Sequence, residues 1–380
     1  MVGIETAAAL PDDVVLEVLV RVADVAMLFR CATVCKLWRR LIADCSFLRR
    51  RWPEAPRMRP TRPSGFFTRQ RLHAKEDEDL LVGVDEVGDP DSPPLFVSVR
   101  RSPLDPGRRS FPGSSAPAGL LNGATSLTSR GGLLLVRLAP HDDRGPVNLA
   151  VWEPFAGTCD VLPPLVSEPT HFLGYAILTS EDCCSPNEPR TAPVVAIGLA
   201  RDNGILDWNL HRFSSTEPSW AFSRKHLDID DSTSYFTIDA RSDDGDVSLT
   251  KLTLPLPAIK PTFEYFHMAG LDGALSLFFL YTETKECLGL EIWTRGKGAD
   301  WYLARVVELR QRIEGVLYLW PGEKSDTLLI NSDAEDMYVA YLDTGAVEKI
   351  TSEFHGLTTD DAVPMEIDWQ SLFMSRLGGP

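Results

Sequence analysis

Residues 10–52, LPDDVVLEVLVRVADVAMLFRCATVCKLWRRLIADCSFLRRRW, decide how this chain is organised. Leu10-Pro11-Asp12-Asp13 reads as a helix start: proline suits the first helical position, where no amide hydrogen is needed, and the two aspartates suit the positive end of the helix dipole. Val14, Val15, Val18, Leu19 and Val22 recur on one face at helical spacing. Asp24 can cap a second short helix carrying Val25, Leu28, Phe29 and Ala32. A third carries Val34, Cys35, Trp38, Leu41 and Ile42, with Arg39 and Arg40 on its wet side. A helical unit of about 40 residues rarely hides this much apolar surface by itself. Its faces must pack on the rest of the chain or on another protein.

Charge divides the chain in the same place. The 380 residues carry a net charge of −16. Residues 1–75 hold 14 basic against 7 acidic side chains, which leaves 24 against 47 in the remainder. A basic head on an acidic body argues against nonspecific nucleic-acid binding, which needs a continuous basic surface, and suits a head that meets an acidic protein. Cys31, Cys35, Cys45, Cys159, Cys183, Cys184 and Cys287 are odd in number and form no CxxC pair, so they read as reduced intracellular thiols. Cys31 and Cys35 lie one helical turn apart in an apolar pattern with no histidine before His73, which favours packing over metal binding. The opening MVGIETAAAL has no basic stretch and no long apolar run, so no signal peptide is expected. It also fails the myristoylation pattern, and no apolar segment approaches membrane-spanning length. The expected home is cytoplasmic, nuclear or both, with no membrane partner.

Residues 53–75 read as a linker or strap; 53–71 alone contain four prolines and five arginines. Beyond them the period shortens. LLLVRLA (133–139), NLAVWEP (148–154), PVVAIGLA (193–200), GILDWNLHRF (204–213) and LSLFFLY (275–281) are short and β-prone. So are GLEIW (289–293), WYLARVVEL (301–309), GVLYLW (315–320), DTLLINS (326–332) and MYVAYLD (337–343). Segments 151–165, 292–309 and 341–350 each read as strand, polar turn and return strand. With no crossover helices in view, a parallel α/β enzyme is disfavoured. The expected fold is mainly β with a small all-α N-terminal domain: three helices over 8–52, then a six- or seven-bladed β-propeller over 76–375, which would hide its sheet edges by closing.

The head resembles an F-box. Leu10, Pro11 and Asp13 match the family's opening Leu-Pro-x-Asp; Val18, Leu19, Arg21 and Val22 match its hydrophobic and arginine steps. Val34, Cys35, Lys36 and Trp38 match Val-Cys-Lys-x-Trp, and Leu41, Ile42, Phe47 and Leu48 continue the pattern. Val18 and Val22 stand where longer side chains are usual, and Ala23-Asp24 where proline is common. The remainder resembles, in style, the plant F-box-associated propeller group of grasses. The resemblance implies a non-catalytic receptor subunit of a Skp-cullin-F-box ubiquitin ligase. Leu10, Pro11, Val14, Leu19, Val34, Cys35 and Trp38 would then form or support the surface for a Skp-type adaptor. Cullin and RING subunits would join indirectly, and the β body would hold an unidentified protein target. The competing reading is a non-ligase β scaffold whose helical head packs internally.

No GxSxG, HExxH, GxGxxG or GxxxxGK[ST] motif occurs, so no catalytic, cofactor or metal residue is assigned. His141-Asp142-Asp143 and Asp243-Asp244-Gly245-Asp246 read as charged turns, and His171, His211, His226 and His267 are dispersed. Trp152, Trp208, Trp220, Trp293, Trp301, Trp320, Tyr338 and Tyr341 read first as core, with a few available to line a protein-binding face.

Overall fold

The structure, a computed structural model, describes residues 10–22, 25–52, 63–70, 92–99, 119–139, 146–154, 157–165, 171–178, 194–202, 205–214, 217–226, 235–240, 247–252, 263–271, 274–282, 287–296, 300–322, 326–332, 336–350, 357–367 and 369–377. The head holds four helices: α1 (Asp12–Val20), α2 (Val25–Val34), α3 (Lys36–Ala43) and α4 (Cys45–Arg51). Pro11 stands just ahead of α1 in an extended conformation, and its carbonyl accepts from Val14 N–H at 3.0 Å and Val15 N–H at 3.2 Å. The expected cap Asp24 lies outside the described residues.

The expected three-helix head is therefore corrected to four helices, and Asp44 is the cause. Its backbone turns out of the helical region, at φ −70° and ψ 131°, which ends α3. Its carboxylate then accepts from Ser46 N–H at 2.8 Å, capping α4. A fifth helix, α5 (Trp369–Leu377), lies near the C-terminus, inside the region expected to be all strand.

The body begins with β1 (Pro63–Gln70), within the stretch read as a linker, and β2 (Leu95–Ser98). A first meander follows: β3 (Thr125–Arg130), β4 (Leu133–Arg137), β5 (Leu149–Glu153) and β6 (Thr158–Val161). A second comprises β7 (His171–Ile177), β8 (Val194–Asp202), β9 (Ile205–Ser214) and β10 (Glu217–His226). β11 (Tyr235–Ala240) and β12 (Val247–Leu252) make a hairpin. Then come β13 (Phe263–Leu271), β14 (Ala274–Thr282), β15 (Leu288–Arg295) and β16 (Trp301–Leu309). The last meander is β17 (Val316–Pro321), β18 (Thr327–Ser332), β19 (Met337–Tyr341) and β20 (Ala346–Lys349). Finally β21 (Leu357–Glu366) returns to pair with β1, in the order β2-β1-β21.

The expected propeller is overturned. The described strands form several small, separate antiparallel sheets, and no sheet closes into a propeller. Strand-ladder hydrogen bonds stay within each sheet, while side chains and turns join one sheet to the next. Leu135 and Leu149 share a buried cluster with Ile177 and Phe213, tying the first meander to the second. Phe66 and Val97 pack with Leu329 and Val339. Phe278 and Leu290 pack with Ile330 and Ala340. The ten strands expected from composition are present, as are the hairpins at β5–β6, β15–β16 and β19–β20.

Gly345 shows how tightly the meanders meet. It sits at φ +68° in the β19–β20 turn, donates to Tyr341 O at 2.8 Å, and accepts from Arg310 N–H at 2.9 Å. A side-chain carbon there would collide with the Glu308 carbonyl oxygen, which is backbone and has little room to yield. Gly345→Ala is expected to destabilise the chain by about 2–4 kcal/mol, combining the left-handed backbone penalty with overpacking. Equilibrium urea unfolding measures this, and an unchanged midpoint would show that the turn relaxes freely.

Candidate functional site: the helical head

Apolar residues occupy two faces of α1, not the one face expected. Val15 and Leu19 are 6% and 1% exposed, whereas Leu10, Val14 and Val18 are 65%, 44% and 57% exposed. The outward set is spaced four residues apart, so it forms a row along the helix and the segment just before it. On α2, Val25, Leu28 and Ala32 are buried, while Met27 and Val34 are exposed. On α3, Leu41 and Ile42 are buried, and Lys36, Arg39 and Arg40 face solvent.

The seven residues assigned from sequence therefore fall into three groups. Leu10, Pro11, Val14, Val34 and Cys35 are exposed. Trp38 is half-buried and packs against the head core. Leu19 is wholly internal and can only support the others. Sequence reasoning missed Met27 as an outward residue and put Val14 and Val18 on one face with Val15 and Leu19. Tracing every fourth residue from Leu10 would have separated Val14 and Val18 from Val15 and Leu19.

Polar contacts hold the helices in place. Glu17 on α1 forms ion pairs with Arg50 on α4 and, at 3.9 Å, with Arg21. The hydrogen bond and charge of Arg50 hold the Glu17 carboxyl below its usual range. Arg40 lies 3.8 Å from Asp12, linking α3 to α1. Arg51 donates to the Val22 carbonyl at 3.2 Å, and burial lowers its pKa. Hydrogen bonds from the Ser46 hydroxyl and backbone lower the Asp44 pKa.

The head core does not end at the head. Leu28, Ile42, Phe47 and Trp52 belong to the same buried cluster as Phe67, Trp152, Met365 and Phe373, which lie on β1, β5, β21 and α5. Cys31 is half-buried and Cys35 exposed, both as free thiols.

The body supplies no reacting constellation among the described residues. No group of three or more His, Cys, Asp or Glu side chains there is placed to hold a metal ion. His211 is buried on β9, 5.1 Å from the Phe222 ring, and His267 lies on β13 in another sheet; burial lowers the pKa of both. His141-Asp142-Asp143 and Asp243–Asp246 lie outside the described residues. Trp152 is core, 5.2 Å from Phe67, and Trp220 donates to the Pro163 carbonyl at 2.8 Å. No helix among the described residues is long and apolar enough to cross a membrane.

The family model described as F-box-like matches residues 7–52. No curated protein matches the chain. Among solved structures, oligopeptidase B from Trypanosoma brucei with covalently bound antipain, in a closed form, is 9% identical at a TM-score of 0.30, over 70% of this chain and 37% of that one. The tricorn protease is 8% identical at 0.24, over 72% and 25%. A eukaryotic initiation factor is 10% identical at 0.27, over 76% and 96%. The chain thus spans well under half of either protease. Residues 7–52 form an F-box-like domain, a non-catalytic adaptor module.

The two faces of α1 separate by stability. Leu19→Ala is expected to cost about 2–5 kcal/mol by leaving a cavity, while Val14→Asp stays within about 0.5 kcal/mol. Chemical denaturation of the full chain checks both, and equal losses would place Val14 in the core. The cap gives a pH signature. Asp44→Ala is expected to cost about 1 kcal/mol near neutral pH. Because folding lowers the Asp44 pKa, its contribution is complete above the ordinary aspartate range and is lost as pH falls through the lowered value. Stability curves of the parent and Asp44→Ala should therefore converge in acid; a constant gap would contradict the cap.

Proposed function

We propose that this chain is a substrate-recognition subunit of a Skp-cullin-F-box ubiquitin ligase, with residues 8–52 docking a Skp-type adaptor and the β body, from β1 onward, holding a protein target. The observation that carries the reading is the outward row of Leu10, Val14 and Val18 on a head whose inner face is already filled. Exposed aliphatic side chains on a rigid helix are concentrated contact surface. Burying one of them fully against a partner is worth up to about 2 kcal/mol. Leu10, Pro11, Val14, Val34 and Cys35 would touch the adaptor, with Leu19 and Trp38 supporting them from behind. Lys36, Arg39 and Arg40 on the solvent side of α3 would speed encounter with an acidic adaptor more than they add affinity. Cullin and RING subunits would follow through the adaptor, in the cytoplasm or nucleus.

The competing scaffold reading draws on the continuous core between head and body. That core accounts for Val15, Leu19 and Leu28, but leaves the outward row unused.

Full-length protein is expected to form a one-to-one complex with a Skp-type adaptor. Leu10→Asp, Val14→Asp and Val34→Asp should each raise Kd at least ten-fold without altering the thermal midpoint, as expected of hydrophobic anchors worth more than about 1.4 kcal/mol. Trp38→Ala is less informative, because it also disturbs the core. Titration calorimetry reads the outcome. Correctly folded protein that binds none of a panel of such adaptors would favour the scaffold. Reconstituted ubiquitin transfer to a captured target should then need head and body in one chain.

A further inference from the structure

Helix α5 begins where β21 ends, and β21 is hydrogen-bonded to β1, the first strand after the head. Pro63 pairs with Glu366, Phe66 with Pro364 and Phe67 with Val363, so the exit from the head and the approach to α5 run side by side. This brings residues separated by more than 300 positions into contact. Phe373 stacks on Phe29 of α2 with ring centroids 4.2 Å apart and planes 19° apart. Trp52, closing α4, stacks on Trp369 and packs against Phe373 at 5.2 Å. Gln370 donates to the Trp52 carbonyl at 2.7 Å, and Arg39 of α3 donates through Nε to the Leu377 carbonyl at 3.1 Å. Cys45 Sγ of α4 lies 3.8 Å from Met374 Sδ. On the body side, Arg376 forms an ion pair with Glu153 of β5.

Three of the four head helices thus meet α5 directly. Trp369 and Phe373, four residues apart and therefore on one side of the helix, are both buried. So small a head has little core of its own, and these two rings fill the space between it and the body. The sheets β13–β16 and β17–β20, which contribute no residue to the head cluster, have a cluster of their own around Phe278 and Ile330. Loss of α5 would therefore strike the head and spare the distant body, as a local opening.

We propose that α5 is a clasp: the head keeps its docking arrangement only while this helix is seated between α2–α4 and β5, so that adaptor binding at the N-terminus is conditional on the C-terminus. The docking clause rests on the adaptor reading above; the clasp itself does not.

Native-state hydrogen exchange of the full chain, without adaptor, tests the clasp. It is compared with a variant ending at Ile367 and with the milder Phe373→Leu. Exchange in 25–51 is expected to quicken at least ten-fold in the shortened chain and less in Phe373→Leu, while 274–350 changes less than two-fold. Adaptor Kd, measured in parallel, should rise at least ten-fold in the shortened chain. Unchanged exchange in 25–51 overturns the clasp, as does equal quickening through head and body in both variants. If the shortened chain precipitates, Phe373→Leu alone decides by the same comparison of 25–51 with 274–350. Unaltered full-length chain that binds no adaptor would defeat the adaptor reading and leave the exchange result to judge the clasp.

Discussion

The shared aromatic core of Phe29, Trp52, Trp369 and Phe373 is the interaction on which the arrangement of the molecule depends. It follows from size. Four short helices cannot bury their inner faces against one another alone. Here the missing wall comes from the sheet β2-β1-β21 and from α5. The head is continuous with the body at its back and exposed at its front. That polarity gives the outward row on α1 its meaning: internal packing has been completed without using it.

The same sheet sets the relation between the meanders. Through Phe67 and Phe96 it joins the cluster that includes Trp152 on β5; through Phe66 and Val97 it meets Leu329 and Val339 on β18 and β19. Successive side chains of β1 point to opposite faces, so Phe66 and Phe67 serve two different cores. Contacts between meanders depend on side chains and turns, and the fit is close. The Gly345 turn against Glu308 and Arg310, and the 3.0 Å ion pair from Arg305 to Asp326, are points where neighbouring sheets interlock.

Much of the strand content was legible because runs such as LLLVR and TLLINS are apolar, β-branched and bounded by turn residues. Two of the strands that escaped notice look different. β21 reads LTTDDAVPME, with three acids and a proline, and β3 reads TSLTSR. Their strand character comes from tertiary pairing, which composition does not record. α4 was hidden because Asp44 both ends one helix and caps the next within a single apolar pattern. α5, only nine residues long, offers Trp369 and Phe373 to a surface formed over 300 positions earlier. The propeller expectation extrapolated from hairpin rhythm to global closure; rhythm reports local pairing and carries no information on how sheets are arranged. In the head, five of the seven residues assigned from sequence, Leu10, Pro11, Val14, Val34 and Cys35, are exposed, but valines on adjacent positions could not be divided between inside and outside until the helices were packed.

The union of the head with α5 also has a temporal meaning. Ribosomes deliver the head first, yet Arg39 and Trp52 make contacts 338 and 318 residues away. More than 300 further residues must emerge before Phe29 and Trp52 receive their ring partners. Contacts this distant in sequence are slow to form, because a long loop must close before they contribute. During synthesis the nascent head therefore waits with aromatic side chains uncovered, as transiently exposed apolar surface prone to aggregation. Arrival of α5 is the event that ends that exposure.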